Sequence, residues 1–273
     1  MAKSSPNKKN APVLISVPHG GMQIPKEVID RCSLSEKEVF DDSDAFTRDI
    51  FDFKDRVISY VDTDISRSII DLNRSRDDYD PKKIDGVIKR QTARGASVFD
   101  KNAFPGPQLA EELLQKYYDP YHNKIDELID QSPPLFALDC HSMDPVGPKH
   151  GKKPGKKRAI FCLSNGGDYS GFPIGKKGYV TCSPTLIINL AEILAQTFKI
   201  SEEDVLLNDP FPGGHIIRSH YSERVPWIQL ELNKNLYLTA DKFDKRSRTC
   251  FPGIISKINE RLWTSIQKLL NSL

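Results

Sequence analysis

Two apolar runs that each stop at a histidine constrain this chain most. They are Val13-Leu-Ile-Ser-Val-Pro-His19-Gly-Gly and Leu135-Phe-Ala-Leu-Asp-Cys-His141-Ser-Met. Runs rich in Val, Ile and Leu that end in a polar tip read as buried strands delivering a side chain to the edge of a sheet. Open α/β sheets keep their ligand sites at such edges. Further apolar runs at 56–61, 66–72, 159–164, 205–208, 215–220 and 227–233 predict more strands. Helical spacing predicts helices at 25–31, 44–54, 108–130, 184–198 and 253–270, with Pro120 kinking or splitting the third of these. Strands alternating with helices imply an α/β sheet covered on both faces.

The 273 residues suffice for one large α/β domain. Residues 1–11 are polar and aperiodic and are expected to form a disordered tail, so the folded domain is expected over 12–273. Residues 77–106 mix charges with Gly and Pro and predict a long excursion over the active face rather than core. The Lys-rich run 147–158 is expected to be a solvated loop, with a polyanion patch or a nuclear-targeting signal as its alternative. A net charge of +2 with 28% charged residues gives no global case for binding nucleic acid. No stretch approaches the roughly 20 apolar residues of a spanning helix, and the N-terminus lacks the apolar centre of a secretory signal. Five cysteines without a Cys-x-x-Cys pair argue against a disulfide framework. The expected setting is therefore the cytoplasm, with reduced thiols.

His19 and His141 joined by a carboxylate would form a three-ligand metal site with a position left for water, the arrangement of catalytic zinc. Asp44, in Asp41-Asp-Ser-Asp44 at an expected helix start, is the preferred third ligand, ahead of Asp42 and Glu27. Strand period puts Asp139 on the same side as His141, where it could orient a ligand histidine. Arg67, Asn73 and Arg74, in Ser66-Arg-Ser-Ile-Ile-Asp-Leu-Asn-Arg74, offer planar donors suited to an anionic substrate. Glu231 interrupts the apolar strand Trp227-Ile-Gln-Leu-Glu-Leu-Asn233, and a buried Glu there reads as a general base for water and acid for a leaving amine. His215 and Arg218, in Gly-Gly-His-Ile-Ile-Arg218-Ser-His220, are expected to help hold substrate. His122 lies in an aromatic patch and reads as a packed, hydrogen-bonded core residue. His150 in the basic run reads as solvated.

The Pro-His-Gly-Gly turn, Asp-Ser-Asp, Ser-Arg with Asp-Leu-Asn-Arg, Asp-Cys-His-Ser-Met, Gly-Gly-His-Ile-Ile-Arg and Gln-Leu-Glu-Leu-Asn, taken in order, resemble the N-formylglutamate amidohydrolase family over about residues 12–270. The family is related to zinc carboxypeptidases and aspartoacylase. The resemblance implies a three-layer α/β/α sandwich around a mixed sheet and one Zn2+ per chain held by His19, Asp44 and His141. It further implies Glu231 as general base, with Arg67, Asn73 and Arg74 at the substrate carboxylate and oxyanion. The implied reaction is hydrolysis of an N-acyl amide of a small acidic substrate, with N-formyl-L-glutamate giving formate and L-glutamate as the type case. Two rivals are another N-acyl amino acid deacylase or metallocarboxypeptidase, and a non-catalytic binding protein on the same scaffold. The second rests on Met22, which stands where carboxypeptidases and acylases place an acid, three residues after the first histidine. The run 147–158 is longer than the connection usual in the family, and Asn165-Gly-Gly-Asp168 matches it loosely.

Overall fold

Strand β3 (Phe136–Met143) is buried along its whole length, a burial that requires layers on both faces. In the structure, a computed structural model describing residues 10–176 and 178–273, it is central to a six-stranded sheet. Strands β1 (Ala11–Val17) and β6 (Trp227–Asn233) flank it, both parallel. Strand β2 (Val57–Asp62) adds a parallel edge beyond β1. On the other side β4 (Phe161–Ser164) pairs antiparallel with β6, and β5 (Val205–Leu207) ends the sheet parallel to β4. The order β2-β1-β3-β6-β4-β5 makes the sheet mixed. The expected tail lies outside the described residues except for its last two positions, and β1 already begins at Ala11.

Period-two alternation sorts the strands between two layers. Val13, Ile15, Phe136, Leu138, Ile228 and Leu230 face α2 (Thr47–Ile50), α5 (Pro184–Phe198) and α7 (Ile254–Leu270) in one core. Leu14, Ala137 and Trp227 face α3 (Pro107–Leu113) and α4 (Asp119–Gln131) in the other. The result is the expected α/β/α sandwich. Toward the carboxyl ends of β1, β3 and β6 the second face turns polar. Ser16 pairs with Asp139, Asp139 with Gln229 and His141 with Glu231. Register thus gathers these side chains into one patch.

Several local expectations fail for identifiable reasons. Residues 66–72 form a wound turn, with Ile69 N and Ile70 N both donating to Ser66 O, because only a turn brings Arg67 to Asp71 four residues on. Residues 215–220 form the short helix α6 (His215–Ser219). The Ile-Ile doublet reads as strand, but Asn73 Oδ1 accepts from Ile216 N at 2.8 Å and caps a helix instead. The helix expected over 44–54 shrinks to α2 because Phe46 adopts left-handed backbone, with φ of 63°. The one expected over 25–31 is a single 3-10 turn at Ile29–Arg31. Sequence reasoning missed α1 (Glu36–Asp42), although the Ser35/Glu38 capping box announces it. The helix over 108–130 does split, through a π turn at Leu114–Tyr118 just before Pro120. Residues 77–106 are an excursion but not merely surface, since Val87, Ile88, Val98 and Phe99 are buried in the second core.

Leu138 is fully buried on the face opposite the polar patch. Leu138→Ala is expected to lower unfolding free energy by about 2–5 kcal/mol through lost transfer energy and the cavity left behind. A denaturant titration that finds no change would contradict the packing described.

Candidate metal centre and its cavity

His19 follows β1 after one proline, on a turn that packs against the chain leaving β2. A Cβ at Gly21 would lie 2.4 Å from the carbonyl carbon of Asp64, so only glycine lets this turn sit there. Asp44 follows α1 rather than opening a helix, and its N–H donates to His19 O at 3.0 Å. His141 comes from β3. His141 Nδ1 lies 3.1 Å from His19 Nδ1 and 3.1 Å from Asp44 Oδ2, and His19 Nδ1 is 3.5 Å from the same oxygen. All three side chains are buried.

Outer carboxylates fix the tautomers. His19 Nε2 is 2.7 Å from Asp71 Oδ1, and His141 Nε2 is 2.8 Å from Asp139 Oδ2. A carboxylate accepts, so each Nε2 carries its proton and each Nδ1 turns a lone pair on the point that Asp44 also faces. Lone pairs held 3.1 Å apart repel unless a proton or cation lies between them. Ligands about 2.0–2.1 Å from a tetrahedral zinc stand about 3.3 Å apart, matching the observed edges. Two imidazoles and one carboxylate are also the donor types zinc takes.

Charge points the same way. Asp42, Asp44, Asp71 and Asp139 are buried, while the cations against them are Arg67 and Lys89. Arg74 is taken up chiefly by Asp85. Four carboxylates against two permanent cations leave a deficit that a proton on His141 offsets in part and a dication would neutralise. Burial opposes ionising Asp44, but Arg67 and hydrogen bonds from both histidines hold its pKa well below the usual range. Burial likewise opposes ionising Asp71, but His19, Arg67 and Lys89 hold it down. His141 is raised well above the ordinary imidazole value: burial works against the charge, but Asp139, Asp44 and Glu231 outweigh it. Without metal, His141 therefore keeps a proton at neutral pH.

The remaining expected residues divide. Asp42 turns away to Ser68 Oγ and Ala93 N, and Glu27 pairs with Lys116 and Tyr117. Arg67 spans Asp44 Oδ1 at 3.1 Å and Asp71 Oδ2 at 3.2 Å. Asn73 is committed to protein, joining Asp139 Oδ2 at 3.3 Å to the start of α6. Glu231 is buried beside His141, its Oε1 accepting from Gln229 Nε2 at 3.0 Å. A cavity of about 890 Å³ opens over these groups, and Arg67, Asn73, Arg74 and Glu231 line it. His215 and Arg218 do not line it. Strand alternation would set Arg218 beside His220, with His215 joining only through a bend at Gly213-Gly214, but the segment is helical and turns both away. Arg218 is exposed and reaches only Pro212 O. His122 is buried, bonded to His220 and Leu72 O. The run 147–158 is largely solvent-exposed, as expected, while Pro148, His150, Lys152 and Arg158 also line the cavity. Sequence reasoning gave no role to Asp71, although it stands inside Asp-Leu-Asn-Arg. It missed Lys89, which no local pattern marks.

The fold and site define a class: an α/β/α sandwich with a metal-competent group at the carboxyl ends of its parallel strands. Residues 11–238 match the family model of N-formylglutamate amidohydrolase, and the chain belongs to that family. An N-formylglutamate deformylase of Pseudomonas putida is 28% identical over 237 residues, 83% of this chain and 82% of that protein. The solved N-formylglutamate amidohydrolase of Ralstonia eutropha JMP134 is similar with a TM-score of 0.75 at 20% identity, covering 98% of this chain and 95% of that one. A gene product of Agrobacterium tumefaciens matches with a TM-score of 0.58 at 15% identity, covering 96% and 90%. These two structures share the fold.

His19→Ala and His141→Ala are each expected to abolish stoichiometric zinc uptake in elemental analysis. Asp71→Asn and Asp139→Asn should weaken it about 10- to 100-fold by loosening the ring behind each Nδ1. Because zinc must displace the His141 proton, affinity should rise with pH across neutrality. Calorimetry in buffers of different ionisation enthalpy would show the released proton, and a pH-independent affinity would contradict the site.

Proposed function

We propose that this protein is a zinc-dependent amidohydrolase that cleaves the N-acyl bond of a small acidic substrate, with N-formyl-L-glutamate plus water giving formate and L-glutamate as its reaction. The convergence of His19 Nδ1, His141 Nδ1 and Asp44 Oδ2, with Glu231 one strand away in register with His141, is the observation that supports it. A single zinc ion held by His19, Asp44 and His141 would supply Lewis acidity, polarising an acyl oxygen and lowering the pKa of water.

Glu231 supplies the proton chemistry. Burial, with Asp44 adding to it, raises its pKa although His141 pulls the other way, and a raised carboxyl suits a group that must both take and give a proton near neutrality. Gln229 fixes Oε1, and Gln229 Oε1 is itself held by Gly214 N at 2.7 Å. Glu231 takes a proton from the attacking water as its oxygen bonds to the acyl carbon. It returns that proton to the amine nitrogen as the C–N bond breaks. Arg67, beside Asp44 on the cavity wall, steadies the negative charge that develops on the acyl oxygen. Asn73 acts by holding Asp139, and Arg74 stands at the cavity wall for an anionic group. The five cysteines are free and no helix among the described residues is long and apolar enough to cross a membrane. Both suit a cytoplasmic enzyme.

Family membership favours the formyl group over other acyl groups. The Asp44 carboxylate beside both histidines supports catalysis over a purely binding role, where Met22 offers no acid.

Glu231→Gln should leave fold and zinc content intact and reduce kcat for N-formyl-L-glutamate by about 10²- to 10⁴-fold. Near-normal turnover would make Glu231 a structural residue. Chelation should abolish the wild-type activity and zinc restore it. Activity that survives complete metal removal would refute the zinc dependence.

A further inference from the structure

An acidic substrate needs a cation that is not already spent. Four arginines line the cavity: Arg67, Arg74, Arg94 and Arg158. Arg67 is bound to Asp44 and Asp71, Arg74 to Asp85, and Arg94 to Asp41 and Asp144. A carboxylate arriving at any of these must displace one already there. Among the described residues, no carboxylate lies within ion-pair distance of Arg158. Its Nη1 and Nη2 reach only main-chain carbonyls, Asp144 O and Lys152 O, both at 3.3 Å. Its Nε is buried with no hydrogen-bond partner. Burial lowers its pKa, and the charges of Glu231 and Asp144 offset this only in part.

The side chain is nevertheless firmly placed. Arg158 N donates to Pro145 O at 3.0 Å, and Arg158 O accepts from Asn233 Nδ2 at 3.2 Å. Its backbone is thus tied to the end of β6 rather than to the lysines of the preceding run. Its guanidinium lies over the Phe211 ring, 4.9 Å from the centroid, which sets the plane of the fork. A planar donor fork held by stacking, with two long main-chain contacts and no carboxylate partner among the described residues, is suited to receive a carboxylate.

We propose that Arg158 is the specificity-determining residue that receives a carboxylate of the substrate. This rests on the acidic N-acyl amino acid reading given above. It assigns acid recognition to the neck of the Lys-rich run rather than to Arg218, and without the competitor that Arg74 carries.

The test compares wild type, Arg158→Gln and Arg158→Lys, each first shown to melt alike and to hold equal zinc. Calorimetric titration with L-glutamate, L-glutamine and L-isoglutamine reads binding independently of turnover. The kcat/KM values for the three N-formyl derivatives read it in catalysis. Arg158→Gln should weaken L-glutamate about 10- to 100-fold, the range of a hydrogen bond to a charged group, and Arg158→Lys should recover part of that. One of the two amides should be nearly insensitive to the substitution, which identifies the carboxylate taken. Equal losses on all three ligands, no loss on any, or a wild type that binds none of them would overturn the proposal. A wild type that hydrolyses no N-formyl amino acid, yet binds L-glutamate through Arg158, would sink the proposed reaction and leave this assignment standing.

Discussion

Two imidazole nitrogens and a carboxylate oxygen are held within 3.5 Å of one another in the buried end of this protein, and that arrangement is tenable only with positive charge between them. Much of the surrounding architecture serves to maintain it. Asp71 and Asp139 hold the Nε2 protons in place, so neither ring can rotate to relieve the crowding. Ser16 and Tyr121 in turn steady Asp139, the serine donating to Oδ1 at 3.0 Å. The outer carboxylates add charge that two protein cations do not balance. A proton on His141 relieves the strain at neutral pH, and a dication would relieve it fully.

The sheet makes this possible because its two faces carry different duties. One face of β1, β3 and β6 is apolar as far as Ser142 near the end of β3, and packs under α2, α5 and α7. The other is apolar near the amino ends of the strands and polar near the carboxyl ends. A burial penalty of several kcal/mol for an unpaired charge would make such a polar patch untenable in isolation. Parallel register pairs its members instead, strand by strand. The wall opposite the sheet is built from irregular chain: the turn at 66–74, the excursion over 77–106 and the neck of the Lys-rich run. Irregular backbone can bring Arg67 to both Asp44 and Asp71, which no strand could do.

The cavity above is lined by cations that the protein has mostly neutralised itself. Arg67, Lys89, Arg74, Arg94 and Lys234 each have a carboxylate within 4 Å. Such pairing keeps the walls rigid and suppresses indiscriminate attraction of anions. It also makes the Arg158 guanidinium conspicuous, since no carboxylate among the described residues lies within ion-pair distance of it.

The sequence alone determined the six strands of the sheet, the α/β class, His19 and His141 at strand ends and Glu231 within a strand, because period-two burial leaves a local signature whatever lies elsewhere. Family resemblance in short ordered motifs then carried Asp44 with them. The long helices over 108–130, 184–198 and 253–270 were legible as well, but the irregular chain around the site was not. The strand expected over 66–72 became a turn, and Ile216-Ile217 became helix, because Asp71 and Asn73 each bind groups distant in sequence. Whether Asp42, Asp44 or Glu27 joined the histidines depended on where α1 stops, and which arginine kept a free fork depended on where every aspartate ended up. Those are facts of through-space neighbours, and only the tertiary structure decides them.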